Sequence, residues 1–373
     1  MFKFSSTFLL HFFQKRSLNT ISTSTLPLPS VSTLEFLKNS CRLSSESPSF
    51  VAGRKFQFDE KNIQQYEAII GFLKSHGFED SEIAKLVSKR PFILQSRVSN
   101  NLKPKFEFLQ EIGFVGPLLF KLFLSNPWIL YRNLDSQLKP LFFFLKEMLG
   151  SDEQVISAIR RSPWLLTSDF KGILKSNIDV LASEGVPSSN IAKLIAYNSR
   201  TIMHTVDRMI QVVKMVKELG IEPKSARFLH ALRVRCAMSD STWKKKINVL
   251  KSLGWSENEI LTLFKRQPIC LARSEEAFRD VADFCFNTAK LDPETVISYP
   301  KFFTYSVDKL WPRYKVLEVL KVKNLLKDRK VARALTLVER QFVETYVLKH
   351  LDEIPKLMDI YRGNVTAETS SVL

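Results

Sequence analysis

Glycine is scarce in this chain: 11 residues in 373, against 29 phenylalanines. So few flexible backbone positions and so many large side chains argue against a turn-rich all-β fold and against nucleotide folds built on glycine loops. Cysteine is also sparse. The four, Cys41, Cys236, Cys270 and Cys285, form no C-x-x-C pair, and none stands at helical spacing from a histidine. A disulfide framework and a zinc site are therefore not expected, and buried reduced thiols are. No apolar run reaches the roughly 18 residues of a membrane span. The longest, 118–124 and 140–145, contain or adjoin lysine. Motifs of catalysis are missing too: there is no H-E-x-x-H, G-x-S-x-G, Walker loop or G-x-G-x-x-G. The five histidines, His11, His76, His204, His230 and His350, are scattered. Nothing resembling a clustered-carboxylate metal site occurs, so no enzyme, no metal and no cofactor are expected.

What the chain does have is positive charge. Lys and Arg number 55 against 38 Asp and Glu, a net +17. Such a surplus suits a polyanionic partner or an acidic membrane surface. Apolar residues at 45% are enough for a real core.

The first fifty residues differ from the rest. They hold 17 Ser or Thr, with Lys3, Lys15 and Arg16 early and no acid before Glu35. Aromatic and aliphatic residues interleaved with sparse positive charge suit an import sequence. A secretory signal fits less well, because the apolar stretch 8–13 is broken by His11 and no small-residue cleavage site follows closely. Residues 1–50 are expected to be an organelle presequence, disordered and mitochondrial, with a chloroplast transit peptide as the alternative.

Beyond it lies an internal repeat. Arg90-Pro91-Phe92-Ile93-Leu94, Asn126-Pro127-Trp128-Ile129-Leu130 and Ser162-Pro163-Trp164-Leu165-Leu166 align with their prolines 36 residues apart. The same step reaches Ser199 and Arg235, and shorter steps reach Pro268 and Pro300. Three residues after each anchor stands a large apolar residue: Leu94, Leu130, Leu166, Ile202, Met238, Leu271 and Phe303. A second landmark keeps the phase: Gly77, Gly113, Gly150, Gly185, Gly220 and Gly254 precede the first six anchors by 13 to 15 residues, and Leu291 takes that place in the seventh unit.

Each unit reads as two helices. Helical apolar spacing leads to the Gly, which supplies a left-handed C-cap. A start signal follows: Ser256 with Glu259 as a capping box, Asp292 before Pro293, and Ser151, Ser188 and Asp80 in similar places. The anchor proline then ends a short second helix. One such hairpin cannot bury both faces, so neighbours stack into an α-solenoid with a long groove.

The recurrent x-P-x-x-L (Pro91/Leu94, Pro127/Leu130, Pro163/Leu166, Pro268/Leu271), the Leu-Gly ends such as Glu218-Leu219-Gly220, and the C-terminal Arg340-Gln341-Phe342, 350–354 and Met358 to Gly363 are together specific. In these the sequence resembles the mitochondrial transcription termination factor family (mTERF), plant organellar type, over about residues 60–363. The resemblance implies an all-α solenoid of about seven repeats, each of two α-helices and a short 3-10 turn. It further implies that the repeats curve into a superhelix whose groove accepts double-stranded nucleic acid. It also implies a role in organelle gene expression. Ser199 and Arg235 depart from the pattern, since the proline is lost there.

Cations gather around the anchors: Lys89 and Arg90, Arg160 and Arg161, Arg233 and Arg235, Lys265 and Arg266, with Arg200 just after its anchor. Cations favour helix C-termini through the macrodipole. A row repeated at one phase also tracks a phosphate backbone. The stretch Lys321 to Arg333 holds six cations against Asp328, close to Trp311-Pro312-Arg313-Tyr314, and Trp243 to Lys246 is similar. Arg313, Lys327, Arg329 and Lys330 join the expected nucleic-acid contacts.

The expected organisation is a presequence over 1–50, a repeat solenoid over 56–320, a C-terminal helical cap over 321–363 that is basic at its start, and a disordered tail over 364–373. The expected partner is double-stranded DNA or structured RNA, bound by a monomer alongside the organellar transcription or RNA-processing machinery. A protein-interaction scaffold is the alternative outside nucleic-acid binding. Residues 1–60 fused to a fluorescent reporter are expected to deliver it to mitochondria; reporter signal in chloroplasts would reverse the assignment.

Overall fold

The computed structural model describes residues 35, 36, 38, 39, 41, 59–326 and 331–364. Most of the expected presequence, Lys327, Arg329, Lys330 and nearly all of the expected tail lie outside the described residues; within the presequence span Phe36 and Cys41 are described and buried, Phe36 with its ring 5.6 Å from that of Tyr66. Among the described residues every regular element is helical. Contacts divide the chain into two compact units, Met1–Phe142 and Phe143–Leu373.

In the first unit α1 (Ile63–Ser75) pairs with α2 (Asp80–Lys89), and α3 (Lys103–Glu111) with α4 (Pro117–Ser125). The boundary falls inside α5 (Lys139–Leu149), which is followed by α6 (Asp152–Arg161). In the second unit α7 (Lys175–Ser183) precedes α8 (Ser188–Ile202), α9 (Val206–Glu218) precedes α10 (Ala226–Cys236), and α11 (Asp240–Ser252) precedes α12 (Glu257–Arg266). Then come α13 (Glu275–Asp283), α14 (Pro293–Ser298), α15 (Val307–Val322), α16 (Val331–Leu335), α17 (Glu339–Phe342) and α18 (Leu357–Arg362).

Both landmarks of the repeat have a backbone cause. The six phase-keeping glycines all have positive φ, from 72° at Gly220 to 103° at Gly113. In five of them the next residue donates to the carbonyl five residues back, as Phe78 does to Leu73 and Trp255 to Leu250. That is the Schellman closure, and its apolar partner is buried: Phe78, Phe114, Val186, Ile221 and Trp255. In the seventh unit the left-handed residue is Lys290 (φ 52°), one before the expected Leu291. Leu291 instead donates to Cys285, so it plays the part of the apolar closing residue. Asn324 (φ 56°) repeats the device after α15, which extends the phase to an eighth hairpin.

Each anchor proline opens a five-residue 3-10 turn: Pro91–Gln95, Pro127–Tyr131, Pro163–Thr167, Pro268–Ala272 and Pro300–Thr304. The residue before it is extended, with φ near −140° and ψ near 75° at Arg90, Asn126, Ser162 and Gln267. Where the proline is lost the outcomes differ. Asn198 keeps the break (φ −140°, ψ 39°) inside α8, whereas α10 runs unbroken through Arg235. All seven apolar residues after the anchors are buried, Leu94, Leu130, Ile202 and Phe303 completely. Two start signals shift by one residue. Glu79, not Asp80, caps α2 in a box with Glu82, and Pro187 precedes α8, so that Ser188 is already helical. Ser151, Ser256 and Asp292 cap as expected.

The phenylalanines fill the spaces between hairpins. In the first unit Phe106 meets Phe72 (4.9 Å), Phe123 (4.8 Å) and Phe78 (6.0 Å). In the second, Trp255 meets Phe278 and Phe303, whose rings stack parallel at 3.9 Å. The four thiols are free and buried, and burial pushes their pKa values up.

The turns leave carbonyls facing inward, and polar side chains from the first helices supply donors. Lys105 donates to Leu130 O at 2.5 Å, Asn177 to Ile202 O and His204 O at 2.7 Å each, and Arg208 to Met238 O at 2.7 Å. Lys246 donates to Arg273 O. Lys105, 4% exposed, also donates to the Asn101 carboxamide and has no carboxylate partner among the described residues. Burial therefore lowers its pKa to about 8. The unfolded chain holds this proton up to about 10.4. Between those values the unfolded state binds more protons, so stability rises with pH. The unfolding free energy of the native chain is expected to rise between pH 8 and 10 relative to that of Lys105→Met, as read by urea titrations across that range; parallel curves would contradict the assignment.

Candidate nucleic-acid interface

The second helices end in cations because each helix end faces the next. Lys89, Arg161, Arg233 and Arg266 stand two residues before their anchors. Lys89 Nζ donates to Leu124 O at 2.8 Å, Arg161 Nη1 to Ala196 O at 2.9 Å and Arg266 Nη1 to Ile297 O at 3.3 Å. Leu124 and Ile297 lie in the last turn of the following repeat's second helix, and Ala196 in the last turn of α8 before the break at Asn198. The cation thus neutralises the negative end of a neighbour's macrodipole, not only its own. Arg233 reaches the other way, to Asn198 Oδ1 at 3.3 Å. Two guanidiniums also lie over rings: Arg90 over Trp128 at 4.0 Å and Arg161 over Tyr197 at 4.5 Å. Trp128 is 53% exposed and touches Tyr131 edge-on.

The expected contacts divide into four groups on this basis. Lys89, Arg160, Arg161, Arg200, Lys265 and Arg266 are exposed, and Arg90 and Arg233 are half-buried. Of these, Arg160 and Arg200 have no side-chain hydrogen bond or ion pair among the described residues. Lys265 lies against Gly220, where a Cβ would stand 2.8 Å from its ammonium nitrogen.

Two of the expected contacts are corrected by burial. Arg235 is 7% exposed and donates to Met238 O and to Asp240, which Arg208 shares. Loss of the anchor proline lets α10 carry Arg235 inward. The two guanidiniums hold the Asp240 carboxyl below its usual pKa. Arg313 is 0% exposed. It donates to Leu335 O (2.9 Å), Leu337 O (2.6 Å) and Glu339 (2.9 Å), and lies near the rings of Tyr305 and Phe342. Neither side chain is presented to a nucleic acid; both are held inside the repeat packing. Lys327, Arg329 and Lys330 fall outside the described residues.

Sequence reasoning did not find the hydrogen-bonded caps on turn carbonyls. Their sequence signal was a polar residue 22 before the anchor, as in Lys105, Asn177 and Lys246.

These features define an α-helical repeat protein in which proline-led 3-10 turns and glycine-closed hairpins alternate. The sequence profile of the mTERF family matches residues 70–236 and 233–343, and the chain belongs to that family. Members are helical-repeat proteins of organelles that bind nucleic acid and regulate gene expression. No curated protein is similar enough to the chain to count as a match.

Arg161→Leu is expected to lower the unfolding free energy by ~0.5–1 kcal/mol, because Ala196 O loses its charged donor. Arg160→Leu should stay within about 0.5 kcal/mol of the native chain. Equal effects in urea titrations would show that Arg161 joins nothing.

Proposed function

We propose that the chain captures nucleic acid, double-stranded DNA in the first place, and through it regulates organellar gene expression at the termination or initiation of transcription. The observation that carries this reading is the exposed cation set at the second-helix ends of a chain with net charge +17. In particular, Arg160 and Arg200 remain exposed with no acidic partner among the described residues. Lysine and arginine at that density release counterions from a phosphate backbone, which gives affinity without base reading.

Structured RNA offers the same backbone. A role in splicing, RNA processing or ribosome assembly would use the same surface, with transcription or RNA-processing machinery as partner. The mitochondrial matrix is the compartment that the N-terminal composition favours, with the chloroplast as the alternative. A groove for peptide is the competing idea, and salt separates the two: log K for duplex DNA falls by ~0.9 per neutralised phosphate, whereas a peptide groove is nearly indifferent.

The test is charge reversal where the structure shows no packing role. Arg160→Glu with Arg200→Glu is expected to weaken duplex binding and flatten its salt dependence while the helical circular dichroism stays unchanged. Unaltered binding would remove the second-helix row from the mechanism. Crosslinking in the organelle, with sequencing of both bound DNA and bound RNA, distinguishes the two nucleic acids.

A further inference from the structure

One position on the first helices carries a lysine in four of the seven repeats, a charge that neither helix stability nor packing accounts for. The residue 24 before each anchor is Glu67, Lys103, Lys139, Lys175, Gln211, Lys244 and Glu276 in turn. Lys139 is half-buried and the other six are exposed. In three consecutive repeats the backbone there is the same. Each first helix opens on a π turn, Val98–Leu102, Leu134–Leu138 and Phe170–Leu174. The lysine that follows donates its N–H to the first carbonyl of that turn, with φ/ψ of −54°/−53°, −60°/−50° and −62°/−46°. A conserved backbone position thus presents the same kind of side chain in Lys103, Lys139 and Lys175.

Helix stability offers no reason for these lysines. The macrodipole favours cations in the last turn, and these stand in the N-terminal half. In the second unit Lys171 lies four residues before Lys175, and like charges at that spacing destabilise a helix. Lys244 is likewise followed by the exposed Lys245. Lys171, Lys175, Lys244 and Lys245 have no ion pair or side-chain hydrogen bond among the described residues. In the first unit Lys103 and Lys139 have only exposed pairs, with Glu107 (3.9 Å) and Asp135 (2.7 Å), of the sort that contributes little. The position then turns acidic at Glu67 in the first unit and at Glu276 in the second. Gln211 interrupts the series without charge, and Glu276, in the first turn of α13, suits the positive end of that helix; it is the lysines that lack such a reason.

We propose that Lys171, Lys175, Lys244 and Lys245 form a second phosphate-contacting surface, on the first helices of the second unit, which grips the phosphodiester backbone of the bound nucleic acid and ends at Glu276. Lys103 and Lys139 are its counterpart within the first unit. The inference rests on the nucleic-acid reading above and adds to it a contact surface separate from the second-helix ends, where several cations are occupied by neighbouring carbonyls.

The full chain is titrated with duplex DNA of arbitrary sequence and with an RNA stem over a range of salt. On B-DNA, Lys175→Gln with Lys244→Gln is expected to reduce the slope of log K against log salt by ~1.8, twice the ~0.9 of one phosphate contact. Glutamine keeps helix propensity close to that of lysine. Glu276→Lys should act in the opposite sense and steepen the slope by ~0.9. This second variant decides the matter if the first loses its helical spectrum. Lys217→Gln, at another phase and paired with Glu184, serves as the control and should leave the slope unchanged. A steep native slope that neither Lys175/Lys244 nor Glu276 alters overturns the first-helix surface and leaves the nucleic-acid reading standing. A native chain whose affinity for both nucleic acids ignores salt overturns that reading and the surface with it.

Discussion

A 3-10 turn driven into a helical core brings carbonyl groups with it, and an unpaired carbonyl in such a place costs free energy comparable to a lost hydrogen bond. Most of the structure follows from how that cost is met. The anchor proline forces the chain out of the second helix, and the apolar residue three positions on buries the turn. The carbonyls so exposed then need donors from elsewhere. Lys105 and Lys246 supply them from the first helices, and Asn177 and Arg208 do the same in the two repeats that turn without a proline. Arg313 does the same for the last hairpin, at full burial. The donors differ in charge and length, because what is fixed is the acceptor. That a lysine serves without a carboxylate at Lys105 shows how strongly the turn demands a donor there.

The same principle explains why charge near the anchors has two uses. A cation in the last turn of a second helix meets carbonyl oxygens of the next repeat, and Lys89, Arg161 and Arg266 do so. Such residues join repeats before they meet any ligand. Arg160, one residue before Arg161, and Arg200, one residue after its anchor, face solvent. The repeat phase alone does not separate the two kinds; the direction of the side chain does.

The phase of the repeat was legible in the sequence because two unlike residues enforce it by backbone geometry. Proline acts through its missing N–H and glycine through its tolerance of positive φ. The seven buried residues from Leu94 to Phe303 followed directly. What the sequence concealed was the fate of single polar residues. Arg235 reads like its neighbours in the cation series, yet without a proline the helix continues and turns it inward. Arg313 stands in a run of polar and aromatic residues that reads as surface, while in three dimensions Tyr305 and Phe342 enclose it. Leu291 was mistaken for the glycine substitute because leucine keeps the count. The left-handed residue is Lys290, a position where a side chain costs about 1–2 kcal/mol. Sequence spacing gives a register good to one residue, and a cap needs better than that.

The joints between second helices all span short stretches of chain, 35 residues from Lys89 to Leu124 and again from Arg161 to Ala196. Nothing in such a joint has to wait for a distant part of the polypeptide. Within each unit a hairpin can therefore consolidate as soon as its successor has been synthesised, and pulling on one end should undo the joints in order of sequence. The molecule is built to be assembled, and taken apart, one hairpin at a time.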